Sequence, residues 1–183
     1  MPARRLFTAD EFCRMAEVGI LDGHERVELI EGEILQMAPI GSRHAGCVNV
    51  LTERFVTGLV GRAIVSVQNA VRLSSGSVPQ SDFALLRPRP DYYASGLPGP
   101  EDVFFVVEVS DTTFRYDRDI KLPVYAAAGI PEAWIVNVGA GSVLIGRDPS
   151  AGAYRQTQTV GRDGALSPAA FPDLAIPADD LLG

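Results

Sequence analysis

Residues 103–109, VFFVVEV, constrain the fold more than any other stretch of the chain. The run is continuously apolar and rich in β-branched and aromatic side chains, the pattern of a strand buried on both faces. Glu108 interrupts it. An ionised carboxylate in such a strand is costly unless a metal, a cation or several hydrogen bonds replace the lost water. Two readings stand side by side here. Buried acids are usually paired with an Arg or Lys, and a buried acid can equally hold a metal.

A second acid weighs toward the metal. In SVPQSDFALL, residues 77–86, Asp82 stands where polar residues give way to another apolar run, again where a strand enters a core. Lys121 follows Glu108 by thirteen residues in DRDIKLPVYAAAGIP, whose Ala-rich spacing predicts a helix stopped by Gly129 with Pro131 beyond it. Glu132–Asn137 then resumes as a strand. Two acids at the ends of two neighbouring strands, with a lysine, form a set that can bind a hard divalent cation and activate water.

The remaining segments frame that set. Thr8 and Glu11 have capping-box spacing, which predicts a short helix to about Val18 with Phe12, Met15 and Ala16 on one face, packed as a lid. RVELIEGEILQM, residues 26–37, alternates around Glu31-Gly32 and reads as a hairpin. Val27, Leu29, Ile34 and Met37 supply its inward face, which leaves Glu28 on the solvent face. Ser42 is expected to cap a helix from Arg43 to about Leu59, with Val48, Leu51, Phe55 and Leu59 as its buried stripe. His44, in its first turn, points into a cleft or caps the surface. Residues 62–73 predict one or two strands. Pro88–Pro100 is a loop between the two acid-bearing strands, expected to overhang a cleft between them, with Tyr92 and Tyr93 packed in it. Ala133–Val138, Ser142–Arg147 and Tyr154–Val160 read as strands, and Phe171–Leu182 as an irregular tail.

The chain's 183 residues suffice for one packed core. It holds no apolar run long enough to span a membrane, and no apolar stretch of signal type follows the basic N-terminus, so a cytoplasmic location is expected. Cys13, Cys47, His24 and His44 are the only soft ligands. They lack zinc spacing, and both cysteines read as small buried apolar groups. A net charge of −7 counts against strong non-specific binding to nucleic acid, although active-site acids add negative charge by design. Arg87 with Arg89, and Arg115 with Arg118, are the candidate basic strips. No G-x-S-x-G elbow or G-x-G-x-x-G loop occurs, and Cys47 stands where a Walker loop needs lysine.

The order helix, strands, strand with Asp82, strand with Glu108, helix, strand resembles the restriction-endonuclease-like core of the PD-(D/E)XK nuclease superfamily. FTADEFCRM, RVELIEGEILQMAP, Gln80-Ser81-Asp82, VVEVSDTTFRYDRDIKLPVYAAAGIPEAWIVN and FPDLAIPADDLL more closely resemble the Uma-two family of restriction endonucleases. The resemblance implies an α/β fold with a mixed sheet, flanking helices and an N-terminal helix plus hairpin. It implies one domain over residues 1–183, with a core at about 42–147, the helix and hairpin at 8–38, and a C-terminal strand and tail at 154–183. It further implies a Mg²⁺- or Mn²⁺-dependent endonuclease acting on nucleic acid, most naturally DNA. Asp82, Glu108 and the Val109 carbonyl would hold the metal, Lys121 would be the catalytic lysine, and Glu28 and His44 accessory residues. The superfamily lysine normally lies two residues after the second acid, where this chain has Ser110; the resemblance implies that Lys121 replaces it from the first turn of the next helix, where Pro123 limits the start. Ser81 and Asn137 stand where the family commonly has Pro and Asp. A homodimer would suit cutting both strands of a duplex. The rival reading is a nuclease-like fold kept as a binding or assembly module, its acids an ion-paired core.

Overall fold

The computed structural model describes residues 3–21 and 26–183; His24, one of the soft ligands, lies outside the described residues. Helix α1 (Ala9–Glu17) starts as its spacing predicts. Thr8 Oγ1 accepts the Glu11 N–H (3.2 Å) and Glu11 Oε2 accepts the Thr8 N–H (2.9 Å), the reciprocal capping box. Its buried stripe is one turn earlier than expected. Ala9 and Phe12 are buried beside half-buried Cys13, while Ala16 is exposed and Met15 only half-buried, because the helix packs through its first turns onto Leu29 and Val78.

Strands β1 (Val27–Ile30) and β2 (Glu33–Gln36) pair around Glu31-Gly32, both with positive φ (49° and 84°), as a two-residue primed turn requires. A Cβ on Gly32 would stand 2.6 Å from Leu6 Cβ, so glycine also admits the N-terminal segment. Helix α2 (Ser42–Gly58) begins one residue before the expected start. Gly41 is its N-cap with no side-chain cap, so Ser42 lies inside the helix rather than capping it. Cys47, Val48, Leu51 and Phe55 form its buried stripe.

Strands β3 (Ile64–Val67), β4 (Phe83–Leu86), β5 (Val103–Ser110), β6 (Glu132–Asn137), β7 (Ser142–Ser150) and β8 (Ala153–Gly161) form one sheet in that order, antiparallel except for the β5–β6 pair. The parallel pair requires a crossover, supplied by α3 (Phe114–Tyr116), a π turn (Asp117–Lys121) and α4 (Leu122–Ala127). Gly129 (φ 80°) ends it, with Ile130 N–H on the Tyr125 carbonyl and Gly129 N–H on the Ala126 carbonyl, a Schellman stop. Helical structure therefore starts well before Pro123, not at it. The missing Pro123 N–H and its ring are accommodated because the preceding turn is already widened.

The sheet is covered on both faces. On one, α2 packs Phe55 against Phe83, Phe105 and Trp134, with ring centroids 5.1, 5.4 and 6.3 Å away. Each buried ring contributes about 3–5 kcal/mol against truncation to Ala. Residues read as an irregular tail complete this layer: β9 (Ala165–Leu166) pairs β10 (Ile176–Pro177), and α5 (Ala178–Leu182) buries Leu181 and Leu182 in the same core. On the other face, α4 lays Val124, Tyr125 and Ala126 over Ala84, Val106 and Ala133. Glu108 shares this second face, because side chains of 106, 108 and 110 point the same way.

Register fixes where the acids meet. Phe83 pairs Val107 and Leu86 pairs Val103, so Asp82 is level with Glu108 at one end of the β4–β5 pair. The Pro88–Pro100 loop joins the strands at the other end. It cannot overhang the acids, and Tyr92 in it is exposed.

Candidate active site

Asp82, Glu108 and Lys121 come together beneath a cavity of about 540 Å³. Lys121 Nζ lies 2.8 Å from Glu108 Oε1 and 3.1 Å from Glu28 Oε2, with the Gln80 carbonyl at 3.4 Å. Asp82 Oδ2 accepts the Val109 N–H at 2.9 Å and stands 2.9 Å from His44 Nε2. A carboxylate acceptor there requires His44 to carry its proton on Nε2. Its Nδ1 is buried without a partner among the described residues.

Glu28 corrects the hairpin reading. It is buried, not solvent-facing, and touches Lys121, the Gln80 N–H (3.2 Å) and the Tyr116 hydroxyl (3.1 Å). The alternation in β1 was real, but the second face of the hairpin is covered by the crossover helix.

The π turn explains how a lysine on that helix reaches strand carboxylates. Leu122 N–H donates to the Asp117 carbonyl five residues back, so Tyr116 and Lys121 stack on one face. In an ordinary α-helix, side chains three or four apart do so. Tyr125, four residues past Lys121, donates its hydroxyl to Glu108 Oε1. Lys121 is thus about two turns into a continuous helical run, not in its first turn.

Three residues of the cluster escape a motif-based reading. Asp117 is buried and accepts the Ser110 and Thr113 hydroxyls, each at 2.6 Å; Tyr116 and Tyr125 fix Glu28 and Glu108. One signal was available in the sequence: Lys121 is the only lysine, against fifteen arginines. The candidate basic strips do not form. Arg89 is committed to Asp91 and Arg118 to Asp119, each pair doubly hydrogen-bonded, and Arg87 lies over the Phe104 ring at the far end of the strands.

Glu28, Asp82, Glu108 and Asp117 face one lysine. Burial pushes the Glu108 carboxyl up to about 8; Lys121 opposes the shift, while Asp82, Asp117 and Glu28 reinforce it. Burial also raises Asp117, against the hydrogen bonds from Ser110 and Thr113. Burial alone would lower Lys121, but Glu108 and Glu28 outweigh it and raise it. Full ionisation of Glu108 and its elevation toward neutrality pull in opposite directions. We assign the ammonium to Lys121, because Glu28 holds it independently of Glu108, and the surplus proton to the acids. Cys47, beneath Asp82, is pushed up to about 12 by burial and the Asp82 charge.

No three His, Cys, Asp or Glu side chains among the described residues converge as a metal-holding group. The donor chemistry nevertheless suits a hard cation. The bonds from Val109 and His44 fall on one oxygen of Asp82, and those from Lys121 and Tyr125 on one oxygen of Glu108, so each carboxylate keeps its other oxygen. The N–H and C=O of a strand residue face the same side, so the Val109 carbonyl turns with its N–H toward the space beyond the end of β4. Two carboxylates, a carbonyl and retained waters are a normal Mg²⁺ set.

The chain is thus a mixed sheet with helices on both faces, carrying an acid-rich cleft at one end of its central strands. The family model Uma2, described as "Putative restriction endonuclease", matches residues 9–179, and the chain belongs to that family. Its structure is similar to that of a putative nuclease belonging to DUF820 from Anabaena variabilis ATCC 29413. The TM-score is 0.73 at 15% identity, over 96% of this chain and 97% of that one, a likeness that shows the fold alone. No curated protein matches the chain. Among the described residues no helix is long and apolar enough to cross a membrane.

Proposed function

We propose that this chain is a divalent-metal-dependent endonuclease that hydrolyses phosphodiester bonds in DNA. The observation that carries this reading is the surplus of four buried acids over one lysine at the floor of an open cleft. Such an excess is unfavourable in the free protein and is relieved by an added cation.

In this reading Asp82, Glu108 and the Val109 carbonyl hold Mg²⁺ or Mn²⁺. When bound, such a cation polarises the scissile phosphate and lowers the pKa of water. The chain's own groups do the positioning. The His44 and Val109 bonds fix one oxygen of Asp82, and Tyr125 and Lys121 fix one of Glu108, so the remaining oxygens face the cleft. Lys121, held as the ammonium by Glu28, orients the attacking water or stabilises charge developing on the phosphoryl oxygens. Glu28 and His44 are accessory in this sense, acting through Lys121 and Asp82. The whole chain serves as one unit, because residues 166–182 complete the core under the same sheet.

The rival reading, an ion-paired core in a binding module, draws on the direct contacts between Lys121 and the two glutamates. Cleavage separates the two. Supercoiled plasmid, linear duplex and single-stranded DNA are incubated with Mg²⁺, Mn²⁺ or EDTA, beside Asp82→Asn and Lys121→Met. The expected result is metal-dependent cutting, reduced by about 100-fold or more in each variant. Cutting that persists in EDTA or in both variants, or no cutting of any substrate, contradicts the proposal.

A further inference from the structure

A nuclease that tracks a duplex needs uncommitted cations along its groove, because each neutralised phosphate contributes to affinity through counterion release. Few of this chain's arginines stand outside ion pairs. Among the described residues, twelve of its fifteen arginines lie within 4 Å of an Asp or Glu oxygen, leaving Arg26, Arg87 and Arg115. Arg87 is at the far end of β4, over Phe104. Among the described residues, two arginines outside ion pairs remain near the cleft. Arg26 lines it, with Nη1 3.4 Å from the Ala38 carbonyl and a buried Nη2 that has no partner among the described residues, and Arg115 stands exposed in α3 between the cleft-lining Thr113 and Tyr116.

The shape of the cleft points the same way. Its floor is deep: the side chains of Asp82, Glu108 and Lys121 are 6%, 4% and 2% exposed. One wall is apolar, made by Leu35, Met37, Pro39 and Ile40, with Pro39 and Ile40 open to solvent. About 540 Å³ is the size of a small-ligand pocket. A base stacked and paired in a duplex does not present its face to such a wall, whereas an unpaired nucleotide does.

We infer that the site takes an unpaired strand of DNA, engaging two phosphates through Arg26 and Arg115 and seating one base against the Leu35–Ile40 wall. This rests on the nuclease reading for the identity of the ligand, and it narrows that reading from DNA in general to single strands, gaps and frayed ends. A single strand also needs only one site, so a paired second copy is not required for a complete cut.

Binding tests it independently of cutting. A short fluorescent oligonucleotide with phosphorothioate linkages, which resist hydrolysis, is titrated with the full chain in Mg²⁺ over a series of salt concentrations, single-stranded and annealed to its complement. The single strand is expected to bind at least about ten-fold more tightly than the duplex. Its log affinity should fall with log salt at a slope of about −1.4, the value for two phosphates on a single strand. Arg115→Gln, distant from the acids, should reduce that slope by about 0.7 and leave the melting temperature unchanged. Equal or tighter duplex binding, or a slope steeper than about −4, overturns the inference and leaves the nuclease reading standing. Preferential single-strand binding without cleavage of any substrate upholds the strand preference and removes the nuclease reading instead.

Discussion

Two buried carboxylates in neighbouring strands of one sheet are treated in opposite ways. Glu132, in β6, is saturated. Its Oε1 accepts from Trp134 Nε1 (2.7 Å) and from Arg147 Nε and Nη2 (2.9 and 2.7 Å), and its Oε2 from the Ala169 N–H (2.6 Å). Arg147 continues to the Ser167 carbonyl, so the network ties β6 and β7 to the C-terminal segment. Glu108, in β5, shares a single lysine with Glu28 and lies near two further acids. One carboxylate serves the fold; the other is left with unused bonding capacity under a cavity. Burial alone does not tell the two apart. The balance of charge and bonding does.

The largest effect that could break this contrast is on stability at the saturated site. Arg147→Ala strands a buried Glu132 and is expected to cost about 3 kcal/mol, lowering the melting temperature by roughly 6–12 °C in a domain of this size. The proposed DNA cleavage, per folded molecule, should be unchanged. A loss under about 1 kcal/mol in chemical denaturation would show that Glu132 is no better paired than Glu108.

At the unsaturated site the expected signature is pH dependence. The Glu108 carboxyl is raised from 4.5 to about 8 in the folded chain, so the native state holds its proton more tightly than the unfolded state. The resulting stability is fully present below about 4.5 and is lost as pH rises through about 8. In EDTA, the melting temperature of the native sequence should therefore fall relative to that of Glu108→Gln between pH 5 and 9. A constant difference across that range contradicts the surplus-acid picture.

The smallest effect concerns Ser81, whose buried hydroxyl has no hydrogen-bond partner among the described residues. Ser81→Ala removes an unsatisfied polar group and should stabilise the chain by about 1 kcal/mol. Destabilisation in the same denaturant titration would mean that this hydroxyl is satisfied after all.

Much of the arrangement was legible from local chemistry. The run 103–109, the Glu31-Gly32 turn, the Thr8 capping box and the Gly129 stop are each set by residues within a few positions of one another, and all four form as their sequences predict. What was not legible depends on distant packing. The hairpin's alternation shows that one face is apolar, but not that the crossover helix covers the other, so Glu28 read as solvent-facing. Nothing in the Ala-rich spacing of the crossover helix marks Tyr125, whose hydroxyl serves Glu108. The π turn leaves no periodic trace in five residues, and the placement of the Pro88–Pro100 loop followed only once the β4–β5 register was known. The tail read as irregular because its two-residue strands and five-residue helix are too short to set a pattern.

The most direct test of the contrast is thermal unfolding with and without Mg²⁺ or Mn²⁺, in the native sequence, Asp82→Asn and Arg147→Ala. Binding to a preformed site stabilises by about 2.7 kcal/mol at a hundred times the dissociation constant. The native sequence and Arg147→Ala should each gain several degrees on adding metal, and Asp82→Asn should gain none. A melting temperature that does not respond to metal, or one that responds equally in Asp82→Asn, would contradict a cation site at Asp82 and Glu108.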